Sequence, residues 1–142
     1  MTINILLVDS NPDDAQYIKT LFNKTDHPNT VYIANTGNDA LDVLHQRGDH
    51  SDTPFPDFVI LNPHLPQIEG YKILEEIKNT SELKLTPVIV LSESEEAEDI
   101  TKSYTLSANA HIKKPAGPDK LKKIIAAVEA FWINTAQLPS VK

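Results

Sequence analysis

Polar residues that could act together follow short apolar runs at four places in the sequence. These residues are Asp9-Ser10, Asn62, Ser92 and Lys113-Lys114. A carboxylate such as Asp9 is a ligand that Mg²⁺ prefers, and the Lys114 ammonium can neutralise a carboxylate or a bound anion. Because an unpaired charge in a half-buried pocket is costly, we expect the Lys114 ammonium within hydrogen-bond reach of Asp9 or of the Asn62 side-chain oxygen.

The apolar runs before these residues predict the strands of a parallel sheet. They span residues 3–8, 31–34, 58–61, 88–91 and 110–112. Four of the five are continuous rather than alternating, as expected for strands buried on both faces. Segments of helical period follow them, which predicts a five-fold β-α repeat and a doubly wound α/β fold with right-handed crossovers. The carboxyl ends of the strands then meet at one edge, where the polar residues should form a shared site.

Capping residues and apolar stripes predict the helices that join these strands. The five helices should begin near residues 12, 37, 68, 95 and 118. Asn11 and Thr36 cap the first two, and the second should end near Gly48. The fifth has the strongest apolar stripe, with residues spaced to share one face. That stripe consists of Leu121, Ile124, Ile125, Val128, Phe131 and Trp132.

The composition excludes several classes of protein. A chain of 142 residues that is 40% hydrophobic and 23% charged is typical of one folded domain. The absence of cysteine excludes disulfides, thiolate zinc sites and cysteine nucleophiles. Thirteen basic and twenty acidic residues give a net charge of −7, which argues against binding to nucleic acid. No apolar run approaches the roughly 20 residues of a membrane span, and the first residues do not resemble a signal peptide, so we expect a cytoplasmic protein.

Several stretches in register make the chain resemble a response-regulator receiver domain. They are ILLVDSNPDD, PDFVILNPHLPQIEG, TPVIVLSES and HIKKP, around the first, third, fourth and fifth strands. The loop before the third strand, the stretch EDITKSYTLSAN and the tail FWINTAQLP are similar to single-domain regulators associated with bacterial phytochromes. The resemblance implies a flavodoxin-like sheet of order 2-1-3-4-5. It also implies one receiver domain over residues 1–142, with a core of about 3–134 and a tail of 135–142.

The resemblance further implies partners. A histidine kinase or a phytochrome-type sensor would bind the chain. A homodimer would form through the fourth helix, the fifth strand, the fifth helix and the tail, with Trp132 and Leu138-Pro139 as apolar support. Such a protein acts by contact with other proteins rather than as an enzyme.

Within the family, a histidine kinase passes its phosphoryl group to an aspartate after the third strand, a position that Asn62 occupies here. Two acids after the first strand help to hold Mg²⁺, and here Asp9 is retained while Ser10 replaces the second acid. Ser92 and Lys114 match the hydroxyl and the cation that contact the phosphoryl group. The resemblance therefore implies a phosphoryl-transfer site that lacks its acceptor.

These departures predict a pseudo-receiver, a protein-binding module of a two-component phosphorelay without a catalytic residue of its own. The Asn62 amide nitrogen is a poor nucleophile because its lone pair is delocalised into the carbonyl group. One acid, Asp9, beside one cation, Lys114, gives a local charge near zero, so we expect Mg²⁺ binding to be weak or absent.

Other interpretations stay open at this stage. The chain could be a working regulator in which Asn62 is an engineered or inactivating substitution, or one that uses Asp9 as acceptor. A flavodoxin-type cofactor binder needs a glycine- or hydroxyl-rich loop after the first strand, where this chain has acids and a proline. His64, Asp9 and Asn62 could together bind a transition metal.

Two further residues and one acidic segment each have two possible roles. Ser92 could cap the fourth helix instead of contacting a phosphoryl group. His111, at the aromatic switch position of the family, could be a packed strand residue or a pH sensor. The acidic run that begins at Glu93 could be a solvated helix start or a partner-facing patch.

Overall fold

The apolar runs form five strands that pair in parallel. The computed structural model describes residues 2–139, so the last three residues of the expected tail lie outside the described part. The strands are β1 (Ile3–Val8), β2 (Asn29–Ala34), β3 (Phe58–Leu61), β4 (Val88–Ser92) and β5 (Ala110–Lys113). Their order in the sheet is β2-β1-β3-β4-β5, which confirms the expected topology.

Helices follow each strand, as predicted. They are α1 (Pro12–Asn23), α2 (Gly37–Leu44), α3 (Gly70–Asn79), α4 (Ala97–Thr105) and α5 (Pro118–Val128). The Asn11 side-chain oxygen accepts hydrogen bonds from the backbone N–H groups of Asp13 and Asp14, and Thr36 accepts one from that of Asp39. Both predicted caps are therefore present. Among residues 2–139, no helix has the length and apolar character that a membrane crossing requires.

Alternate residues of the strands face opposite layers of core, which explains the continuous apolar runs. In β1, Leu6 and Val8 pack with the apolar residues of α2 and α3. Ile5 and Leu7 pack on the other face with those of α1 and α5. Because both faces are buried, the strands hold the residues at their carboxyl ends in fixed positions.

Three predicted helix boundaries were wrong. Helix α4 begins at Ala97 rather than near residue 95, after a turn in which the Ser94 hydroxyl accepts the Glu96 N–H. Helix α2 ends at Leu44 rather than near Gly48, because Gln46 and Gly48 both adopt left-handed backbone conformations and turn the chain. Helix α3 begins at Gly70 rather than near residue 68. Before it, Gln67 has a φ of 68°, and the Ile68 N–H donates to the Pro66 carbonyl.

The end of the last helix also differs from the prediction. A π-helical turn, Glu129–Ile133, follows α5 and widens the helix by one residue per turn. The residue that returns to the core after Val128 is therefore Ile133, which is 7% exposed, whereas Phe131 is 54% exposed. Trp132 remains partly buried and meets the Phe131 ring edge to face, with ring centroids 5.1 Å apart.

The loop after β3 lies directly against the start of α3. A Cβ atom at Gly70 would lie 2.5 Å from the Pro63 Cα atom, so only glycine permits this approach. The Gly70 N–H also donates to the Pro63 carbonyl oxygen at 2.9 Å. This contact fixes the backbone that carries Asn62.

Candidate functional site at the strand ends

The carboxyl ends of four strands bring together Asp9, Asn62, Ser92 and Lys114, as the sequence predicts. All four are almost inaccessible to solvent, with exposed fractions of 1%, 4%, 0% and 5% in that order. The Asn62 N–H donates to the Val8 carbonyl oxygen, and the Lys114 N–H donates to that of Ser92. The pocket is therefore built on the sheet itself.

Lys114 pairs with two carboxylates. Its Nζ atom lies 2.7 Å from Asp9 Oδ2 and 2.8 Å from Asp14 Oδ2. The other oxygen of Asp9 accepts the Asn11 N–H at 2.9 Å. The expected contact between Lys114 and Asp9 is thus confirmed. Asp14 was missed, because an acid in the first turn of a helix is readily explained by the helix dipole alone.

The two carboxylates change the proton affinity of Lys114. Burial by itself would lower the pKa of this ammonium, but the hydrogen bonds and charges of Asp14 and Asp9 together outweigh burial and raise its pKa above 10.5. Lys114 is therefore fully charged at neutral pH.

Both ends of the Asn62 carboxamide have partners within the protein. Its Nδ2 group donates to Glu93 Oε1 at 3.2 Å, and its Oδ1 atom accepts the His64 N–H at 3.0 Å. Glu93 immediately follows Ser92, and its side chain is exposed at the mouth of the pocket. Sequence reasoning assigned Glu93 only to the acidic run and missed this contact. The sole signal was its position directly after a strand-end residue.

The Ser92 hydroxyl faces His64 instead of capping α4. Its Oγ atom lies 3.2 Å from His64 Nε2 and accepts the Ser94 N–H at 3.0 Å. The start of α4 depends on Ser94, whose Oγ atom accepts the Glu96 N–H at 3.1 Å. The helix-cap interpretation of Ser92 was therefore wrong. Ser10 contacts the same loop, through its Oγ atom and the His64 carbonyl oxygen at 3.5 Å.

The local charge differs from the expected sum near zero. Asp14 joins Asp9 at the Lys114 ammonium, and Glu93 lies against Asn62 in the same pocket, so these four groups sum to −2 (three negative charges and one positive). The expected sum was wrong because it counted only the acidic positions of the family pattern and Lys114, and so left out Asp14 and Glu93.

The side-chain oxygens of Asp9 and Asn62 that could bind a divalent cation already have hydrogen-bond partners. The Asp9 oxygens already accept from Lys114 and from Asn11, and the Asn62 oxygen is neutral and accepts from the backbone of His64. Within residues 2–139, no group of three or more His, Asp or Glu side chains is arranged to hold a metal ion. The alternative transition-metal site also gains no support, since His64 Nε2 faces the Ser92 hydroxyl.

His111 connects β5 with α4. Its Nδ1 atom lies 2.8 Å from Ser103 Oγ, and its Nε2 atom lies 3.4 Å from the Ser94 carbonyl oxygen. The His111 N–H donates to the Tyr104 hydroxyl at 3.1 Å. His111 is thus a packed strand residue whose ring faces the helix. Ser103 is the one residue of α4 that is buried, so this contact is a main attachment of the helix.

Comparisons with known proteins agree with the fold. The response regulator receiver domain family matches residues 5–126. Response regulator Rcp1 from Synechocystis sp. is 31% identical over 136 residues, which cover 96% of this chain and 92% of that protein. The structure of the Mn²⁺-bound form of Rcp1 has a TM-score of 0.92 at 30% identity, covering 97% of this chain and 99% of that one.

A second solved structure is similar over the full length. The phosphorylated cyanobacterial phytochrome response regulator RcpA has a TM-score of 0.94 at 36% identity, with 99% of this chain and 100% of that chain covered. The sheet order, the strand-end residues and these matches lead to one conclusion: the chain belongs to the response regulator receiver domain family.

Proposed function

We propose that this chain is a receiver module that signals by binding other proteins and does not accept a phosphoryl group at residue 62. The observation that carries the proposal is the buried Asn62 carboxamide, which has hydrogen-bond partners at both ends. An amide has no nucleophilic oxygen anion, and phosphoryl transfer needs an acceptor held in line with the leaving group.

Mg²⁺ binding at this pocket is weak or absent in this proposal. Mg²⁺ requires nearly ideal octahedral geometry and releases its water reluctantly, so it is usually held by one or two carboxylates and by phosphate oxygens. Ser10 replaces one acid, and Asp9 is already neutralised by the Lys114 ammonium at 2.7 Å. No step of the proposed function depends on a metal.

The proposed partner is a histidine kinase or a phytochrome-type sensor. The support is the similarity to Rcp1 and to the phytochrome response regulator RcpA over nearly the whole chain. With a net charge of −7, the chain is unsuited to nucleic acid, so its output is a protein contact. We also propose a homodimer through α4, β5, α5 and the tail.

Acetyl phosphate treatment followed by intact-mass measurement tests the proposal. The parent protein should gain no phosphoryl group, with or without Mg²⁺. The single variant Asn62→Asp should gain little, because Ser10 still leaves the metal site incomplete. The double variant Ser10→Asp/Asn62→Asp should become phosphorylated in a Mg²⁺-dependent way, since Ser92 and Lys114 are already in place.

Two results would contradict this proposal. If the parent gains a phosphoryl group as readily as the double variant, the chain is a working regulator that uses another acceptor. If Mg²⁺ raises the melting temperature of the parent as much as that of the double variant, the metal site is intact despite Ser10 and Asn62.

A further inference from the structure

We propose that Glu93 keeps phosphoryl anions out of the strand-end pocket by holding its own carboxylate against residue 62. This inference rests on the proposed function and assigns to Glu93 a role in the same site. Glu93 is a positioning residue that makes the pocket selective against anions. It contacts no substrate.

Asn62 offers a hydrogen-bond donor and Glu93 a carboxylate that accepts it. The Asn62 side chain is buried, so its N–H₂ group needs an acceptor inside the pocket. Glu93 Oε1 lies 3.2 Å from Asn62 Nδ2 and supplies a charged acceptor, which makes a stronger hydrogen bond than a neutral one. An anion that approached Asn62 would have to displace this carboxylate or lie beside it.

The other groups that could hold an anion are also engaged within the protein. The Ser92 hydroxyl lies 3.2 Å from His64 Nε2, and the Lys114 ammonium is shared between Asp9 and Asp14. Glu93 therefore completes a pocket in which each anion-binding group already has a partner. It adds an exposed negative charge at the mouth, where the partly exposed Asp14 is already paired with Lys114.

The interaction between Glu93 and residue 62 should change from attraction to repulsion when residue 62 becomes an acid. The parent has an amide that donates to a carboxylate, whereas the Asn62→Asp variant would place two like charges at the same separation. Glu93 therefore opposes an acceptor at residue 62 as well as the anion that would react with it. Restoring the acceptor and the metal ligand alone leaves this second obstacle in place.

The first test measures phosphorylation of the Ser10→Asp/Asn62→Asp variant by acetyl phosphate with Mg²⁺. The acceptor carboxylate forms an O–P bond while the acetyl O–P bond breaks, and acetate leaves. Adding Glu93→Gln should raise the rate about two- to fivefold, the range expected for one partly screened charge pair. Glu96→Gln is the matched control and should leave the rate unchanged, because Glu96 is exposed and its side chain forms no cap of α4.

The second test is a double-mutant cycle of melting temperatures without Mg²⁺ or phosphate. Glu93→Gln should lower the melting temperature of the parent or leave it unchanged. The same substitution should raise the melting temperature of the Asn62→Asp variant. Equal effects of Glu93→Gln in the two backgrounds would overturn the inference, as would equal rates for Glu93→Gln and Glu96→Gln. These outcomes leave the proposed function standing, which fails if the parent itself becomes phosphorylated or if Mg²⁺ stabilises the parent as much as the double variant.

Discussion

At the scale of single residues, the buried pairing of Lys114 should be the most sensitive contact of the pocket. Lys114→Met removes the ammonium that neutralises Asp9, which is 1% exposed, and leaves that carboxylate buried without a cation. We expect the free energy of unfolding to fall by about 3 kcal/mol in chemical denaturation. Lys113→Met is the control, because Lys113 pairs with Glu95 on the exposed surface, and its loss should cost less than about 1 kcal/mol.

The loss of stability in Lys114→Met should depend on pH. Because the pKa of Lys114 is raised above 10.5 in the folded protein, its contribution to stability is fully present below pH 10.5. The contribution is lost as the pH rises through the folded-state pKa. The stability difference between the parent and Lys114→Met should therefore be constant at neutral pH and shrink above about pH 10.5. A difference that grows with alkaline pH would contradict this assignment.

The residue-scale predictions succeeded where chain order carries the information. Four strands end at or just before the residues of the pocket, which are Asp9, Asn62, Ser92 and Lys114. A parallel sheet therefore brings them together whatever the details of packing. Glu93 contacts Asn62 through the path of one short loop, which no periodic pattern encodes. The clustering of these four residues and the contact between Lys114 and Asp9 could be predicted from the sequence, but the contacts of Asp14 and Glu93 could not.

At the scale of elements, the contact between α3 and the loop after β3 should tolerate no side chain. Gly70→Ala would place a Cβ atom 2.5 Å from the Pro63 Cα atom and must displace the backbone next to Asn62. We expect a loss of about 1–3 kcal/mol in the free energy of unfolding. Gly117→Ala is the control, since nothing lies within 4 Å of its added Cβ, and the loss should stay below about 1 kcal/mol, the cost of alanine at the N-cap of α5. Equal losses would show that the close approach at Gly70 is unimportant.

The strands could be predicted more closely than the helix ends. The central strands β3 and β4 are buried on both faces, so their apolar runs have sharp limits in the sequence. The edge strand β2 is only partly buried and begins at Asn29, two residues before its predicted start. Helix ends depend on individual backbone conformations, such as the left-handed ones at Gln46 and Gln67. The apolar stripe of α5 misassigned Phe131 because an ideal helical period does not anticipate a π turn.

At the scale of the whole molecule, we expect the exposed Phe131 to contribute to the proposed homodimer. Its ring is 54% exposed beside the partly buried Trp132, at the end of α5 where we propose the homodimer. Phe131→Asp should weaken dimerisation by about tenfold or more, measured by sedimentation velocity across a concentration series. Leu85→Asp should leave dimerisation unchanged, because Leu85 is 65% exposed but lies between α3 and β4, outside that face. A parent protein that stays monomeric at high micromolar concentration would contradict the proposed dimer.

Pro63, which contacts Gly70, also affects how Asn62 ages chemically. Asparagine slowly turns into aspartate when the backbone nitrogen of the next residue attacks the side-chain carbonyl and closes a five-membered imide. Pro63 follows Asn62 and has no N–H group, so this ring closure is blocked. The pocket therefore does not acquire an acceptor at residue 62 by this route as the molecule ages.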